Sequence, residues 1–185
     1  MTTTQWLRAE RASLAAEQIL DAAGALFAEH GVAAVTVADV ATAAGCSRAT
    51  LYRYFDSRDA LRSAYVHREA RRIGAEVAEG LGAIDDPRER LVRAMVESLR
   101  LVREDATLAA WFTAGDAGAT ARLAQSSAVI EMLVARFLGD SADPATRRRA
   151  RWVVRVLVSL LAQPEADGDD ERAVLEQFVV PVVAD

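Results

Sequence analysis

Arg48, Thr50, Tyr52, Arg53 and Tyr54 fall within seven positions of one short stretch, CSRATLYRYFDSRDAL, Cys46–Leu61. A guanidinium fork matches a phosphate or the paired acceptors of a guanine edge, and a phenol carries an apolar body with a hydroxyl at its tip. Set side by side on one short element, such groups are suited to gripping a polyanion and reading what it carries; burial of the tyrosines as ordinary core is the alternative. Other chemistry finds little footing. Cys46 has no histidine beside it, and the two histidines, His30 and His67, stand far apart, so neither a nucleophile with its base nor a Cys/His metal site is indicated. We therefore expect no enzyme, no metal and no cofactor. Cys46, between Gly45 and Ser47, reads as a small side chain fitted to a turn, with a redox sensor as the alternative.

Groups of this kind work only on an element that holds them outward, and the neighbouring residues supply one. Thr36 with Asp39 three residues on forms a capping box, opening a helix with Val37, Val40, Ala41 and Ala44 on its inner face and Gly45 at its end. Ser47 caps a second short helix reaching about Tyr54. At 100° per residue, Leu51 and Phe55 lie on one side of it, and Ala49, Thr50 and Arg53 on the other. The pair reads as a helix-turn-helix, whose second helix enters the DNA major groove. Arg48, on its first turn, is the candidate for a bidentate contact to guanine; Ala49 permits close approach and Thr50 offers a methyl and a hydroxyl. Thr36 and Arg58 stand at helix starts, where free amides favour phosphate, and Tyr52 and Tyr54 flank the reading face.

The stretch T-V-x-x-V-A-x-x-A-G-C-S-R-A-T-L-Y-R-Y-F-x-S-R-x-x-L, Thr36–Leu61, resembles the N-terminal DNA-binding domain of the TetR family of bacterial transcriptional regulators. The likeness runs from the first helix to the start of the fourth. It implies a homodimer that binds a palindromic operator on double-stranded DNA and releases it when a small molecule binds the C-terminal domain. On matching positions it implies base contacts from Arg48, Ala49 and Thr50 and phosphate contacts from Thr36, Tyr52, Tyr54 and Arg58; Ser47, at the start of the same helix, joins Arg53 and these residues among the DNA-binding candidates. Two positions depart from the pattern: Arg58 stands where lysine is commoner, and Arg53 occupies a variable site whose contact, base or backbone, stays open.

The rest of the 185 residues lacks period-two alternation and carries apolar residues at helical spacing, so the fold class is all-α with about nine helices. A first helix carries Ile19, Ala22, Ala23, Leu26 and Phe27 and stops at Gly31. A fourth, capped by Ser57, runs through Leu61, Tyr65, Ile73 and Val77 toward Gly80. Asp86-Pro87 opens a fifth, a short sixth spans about Thr107 to Thr113, and a seventh spans about Ala119 to Leu138. Asp143-Pro144 opens an eighth and a polar linker leads to a ninth. The expected domains are 1–58, binding DNA, and 59–185, binding ligand and partner. Trp152, Val153, Val156, Leu157, Leu160 and Leu161, with Val174 and Phe178 of the last helix, present more apolar surface than one subunit needs, which predicts a two-fold four-helix dimer interface; ordinary core is the alternative. Met95, Leu99, Trp111 and Phe112 are candidates to line an effector cavity, or to be packed solid.

Charge narrows the functional classes. The formal balance of −5 argues against a generic nucleic-acid coat, yet residues 46–72 hold seven Arg against three acids, a local +4. All 22 basic residues are arginine, which we read as the mark of a GC-rich genome. A partner-binding module that retains the fold without DNA binding is the rival suggested by the acidic total. The N-terminal twenty residues lack a signal peptide's apolar run, the single cysteine cannot pair within the chain, and no stretch is long enough to span a bilayer. We expect a soluble, cytoplasmic protein without membrane association.

Overall fold

The computed structural model describes residues 3–82, 84–113 and 117–184. Residues 1 and 2, the start of the expected N-terminal domain, lie outside them. The described residues contain helices and no strand. The chain divides into two compact units, Met1–Val66 and His67–Asp185.

In the first unit α1, Thr3–His30, ends at Gly31, whose φ of 78° is the left-handed conformation that glycine takes without strain. Ile19, Leu20, Ala23 and Phe27 are its buried stripe, while Ala22 and Leu26 are only half-buried. The helices α2, Val37–Ala43, and α3, Arg48–Tyr54, have seven residues each, well short of the ~12–15 an isolated helix needs. Caps and packing sustain them. Between the two, Gly45 (φ 65°) turns the chain so that the Cys46 amide donates to Ala41 O at 2.9 Å and the Gly45 amide to Thr42 O at 3.1 Å, closing the end of α2. Val40, Ala41, Leu51 and Phe55 are buried.

The fourth helix, α4, Arg58–Gly80, crosses the boundary between the units. Its first two turns put Leu61 and Tyr65 into the N-terminal core, with the Tyr65 ring set edge-on to Phe27 at 5.4 Å and 82°. The boundary therefore falls after Val66 rather than at the predicted 58/59, because burial of those two side chains, not the helix start, decides where the unit ends. Gly24 of α1 makes this approach possible: a Cβ there would lie 2.9 Å from Tyr65 Cε2. Gly24→Ala should lower stability by about 1–2 kcal/mol, overpacking outweighing the ~0.5–1 kcal/mol that alanine contributes to a helix. Thermal unfolding checks it, and a stabilised variant would contradict the packing.

In the second unit α5, Pro87–Glu104, and the later α9, Pro144–Ala162, both begin with the Asp-Pro pair. Asp86 accepts from the Arg88 and Glu89 amides at 3.2 and 3.3 Å, and Asp143 from those of Ala145 and Thr146 at 3.2 and 2.8 Å. The predicted sixth helix is one turn of α6, Ala106–Ala109, followed by a 3-10 turn, Ala110–Phe112. The predicted seventh is two: α7, Ala117–Ser126, and α8, Ala128–Leu138. Ser127 makes the break. Its buried hydroxyl accepts from the Ile130 amide at 3.2 Å and lies 2.8 Å from His67 Nε2, so it caps a new helix instead of continuing the old one. Burial, with the nearby Arg71 charge, holds His67 below the ordinary imidazole range. After α10, Gly168–Phe178, Pro181 lies within a final turn, α11, Val180–Val183. The described residues thus hold eleven α-helical segments against about nine expected, the excess coming from that break and that last turn.

Leu91, Val92, Met95 and Leu99 of α5 pack with Val153 and Leu160 of α9 and with Leu175, Val179, Val180 and Val183 from the C-terminal end. Polar anchors join the same elements. Arg103 donates to both carboxylate oxygens of buried Glu171, at 3.1 and 2.6 Å, and to Leu160 O at 3.0 Å; Arg72 bridges Glu69 and Asp105 at 2.7 and 2.8 Å.

Candidate nucleic-acid interface

The reading helix is fixed at its start and from beneath. At its start the Thr50 amide donates to Ser47 Oγ at 3.0 Å, and the two hydroxyls are themselves 3.0 Å apart. Underneath, Leu51 is 0% exposed and Phe55 is buried, while Arg48, Ala49, Tyr52 and Arg53 are exposed and Thr50 and Tyr54 half-buried. The amphipathic division read from the wheel is the one found. Tyr52, 46% exposed, keeps its phenol outside the core, and Arg48 and Arg53 project from the same short cylinder. The surface is small, polar and cationic, supported by a buried leucine.

Ahead of it, α2 carries the full capping box. The Thr36 amide and hydroxyl donate to Asp39 Oδ2 at 2.9 and 2.7 Å, and the Asp39 amide donates back at 3.3 Å. Those bonds hold the Asp39 carboxyl below its ordinary range, the side-chain bond from Thr36 contributing most. They also point the Thr36 hydroxyl hydrogen at a carboxylate, so Thr36 is a cap before it is a phosphate ligand. Arg58 departs further from expectation. Its half-buried guanidinium donates to Val32 O at 3.3 Å and to Ala33 O, tying the start of α4 to the loop after α1. Two main-chain carbonyls of that loop hold it, where the predicted phosphate clamp requires a free outward fork. Cys46 is half-buried in the turn.

The C-terminal candidates separate. Met95 and Leu99 are packed into the core, Trp111 is buried, and Phe112 is half-buried. A cleft of about 210 Å³ opens elsewhere, lined by Asp85, Pro87, Arg90, Leu91, Phe137, Leu138, Val183 and Ala184, with the Arg90 guanidinium 5.4 Å over the Phe137 ring. Arg90 and Phe137 are 47 positions apart, and nothing in the sequence signals their meeting. Of the predicted interface set, Val153 and Leu160 belong to the subunit's own core; Val156, Leu157, Leu161 and Val174 are half-buried; and Trp152 and Phe178 are 43% and 60% exposed. No helix among the described residues is long and apolar enough to cross a membrane.

An all-helical chain whose N-terminal unit offers a capped helix-turn-helix with a cationic outer face defines a helix-turn-helix DNA-binding regulator. Residues 19–65 match the model of "Bacterial regulatory proteins, tetR family". An uncharacterized HTH-type transcriptional regulator of Mycobacterium tuberculosis is 51% identical over 186 residues, spanning 99% of this chain and 92% of that protein. The chain belongs to the TetR family of transcriptional regulators. In fold it is similar to RolR in complex with resorcinol (TM-score 0.72, 19% identity, 95% of this chain and 90% of that one). It is similar also to the TetR family repressor AlkX from a Dietzia species (TM-score 0.67, 24% identity, 90% and 96%).

Proposed function

We propose that this chain is a cytoplasmic, ligand-responsive repressor that binds a palindromic operator as a homodimer and is released by a small-molecule effector, without catalytic activity of its own. One observation carries the reading: Arg48, Ala49, Tyr52 and Arg53 face outward from a helix seated on fully buried Leu51. Two such helices on a two-fold axis fit half-sites spaced by whole turns of DNA, which is why the operator is palindromic. Arg48, Ala49 and Thr50 read bases. Ser47, Tyr52 and Tyr54, with Thr36 where its cap permits, hold the backbone; Arg53 lies beside both and Arg58 supports the frame. The fold is shared with AlkX, a repressor, and with RolR, crystallised with resorcinol, which supports repression and a small organic effector.

Selection of random DNA fragments with purified protein tests this. A palindrome should be recovered. Arg48→Ala should cost about 1–3 kcal/mol at one base pair of each half-site and relax preference there, whereas Tyr52→Phe should weaken all sequences alike. Recovery of no site, or identical changes of profile in both variants, would overturn the assignment.

A further inference from the structure

We infer that the homodimer is keyed by charge: the basic outer face of α9 receives the acidic start of α10 from a second copy. This rests on the homodimer reading above and goes further, naming the groups that choose the partner. The helix α9 contains five arginines and no acid, a balance of +5; α10 contains Asp169, Asp170, Glu171 and Glu176 against Arg172, a balance of −3, and since Arg103 answers Glu171 and Arg172 answers Glu176, its outward charge is that of exposed Asp169 and Asp170.

The outward face of α9 is read directly from its burial. Arg148, Trp152 and Arg155 are exposed at helical spacing, while Val153, Val154, Val158 and Leu160 on the other side are buried. Within the subunit Glu131 holds the neighbouring Arg147 and Arg151, at 2.7 and 3.2 Å. No carboxylate among the described residues lies within ion-pair distance of Arg148 or Arg155, nor any cation within that distance of Asp169 or Asp170. Both helices pack their inner sides on the same core, and Arg103 joins them through Leu160 O and Glu171. One unit thus presents a cationic and an anionic helix together, with two exposed aromatics, Trp152 and Phe178, on the same pair of elements.

A two-fold contact places every patch against its complement twice, since what α9 meets on the second copy, α10 meets in return. A free polyanion satisfies only the basic half. A second copy satisfies both halves and covers the aromatics, while like-charged relatives are rejected by repulsion.

The test uses two double variants of the full chain, Arg148→Glu with Arg155→Glu, and Asp169→Arg with Asp170→Arg, with helicity checked by circular dichroism. In light scattering at a concentration where wild type is dimeric, each alone should be monomeric, its dissociation constant raised on the order of a hundredfold or more. Mixed one to one, they should form a heterodimer, because acidic α9 then meets basic α10 and the unaltered helices meet each other. Variants that dimerise alone as wild type does, or that stay monomeric when mixed, would overturn the key. A monomeric wild type would instead overturn the dimer reading itself. Should either variant fail to fold, the wild-type dimer decides: between about 50 mM and about 500 mM salt its dissociation constant should rise about tenfold, and an unchanged value would sink the proposal.

Discussion

Replacing Leu51 by alanine is expected to destabilise the N-terminal unit by about 2–5 kcal/mol and to abolish operator binding at concentrations where the wild type saturates. The side chain is 0% exposed and belongs to a seven-residue helix that cannot persist without packing. Truncation removes its transfer free energy and leaves a void under the surface that carries Arg48 and Thr50, the groups proposed to read bases. Urea unfolding followed by circular dichroism measures this, and since the chain has two units the transition that moves should be that of residues 1–66 alone. Arg48→Ala is the comparison: it should leave that transition in place while still losing base preference. An unmoved transition in Leu51→Ala would mean that the reading helix does not depend on the core beneath it.

The second large effect concerns an ion pair that is buried on one side only. Glu171 is 5% exposed, whereas the Arg103 side chain retains about a third of its accessibility (36%). Removing either partner is therefore not equivalent. Arg103→Ala leaves a carboxylate in a poorly solvated place with no counter-charge and removes the bond to Leu160 O, costing about 2–4 kcal/mol, somewhat below a fully enclosed pair. Glu171→Gln leaves a guanidinium that turns to water and costs only about 1 kcal/mol. Denaturant midpoints of the two variants decide it, and equal costs would show that Glu171 reaches water in solution.

Much of the frame that carries the candidate site was legible because the signals involved are short-range. Thr36 with Asp39, Ser47 with Thr50, and the two Asp-Pro starts depend on side chains reaching amides two or three residues ahead, and all four formed. Leu51 and Phe55 announced the buried side of the reading helix, since a three- to four-residue spacing permits one buried face. Arg58 misled for the complementary reason. Its position at a helix start is correct, but Val32 O and Ala33 O, some twenty-five residues earlier, hold its guanidinium. The break at Ser127 was hidden likewise: Gln125, Ser126, Ser127 and Ala128 are compatible with a continuous helix, and the neighbour that fixes Ser127 is His67, sixty positions away. Apolar content also showed that Val153 and Leu160 would be covered but not by what, and they lie in their own subunit's core.

The chain alone determined helix content, the caps, and which side of the reading helix faces outward, because each is settled by torsional preference and contacts within one or two turns. Tertiary structure alone decided the fate of Arg58, the unit boundary at Val66, the split at Ser127 and the cleft beneath Arg90. Each depends on groups distant in sequence meeting in space, where a buried donor, carbonyl or carboxylate must find whichever partner the packing brings to it.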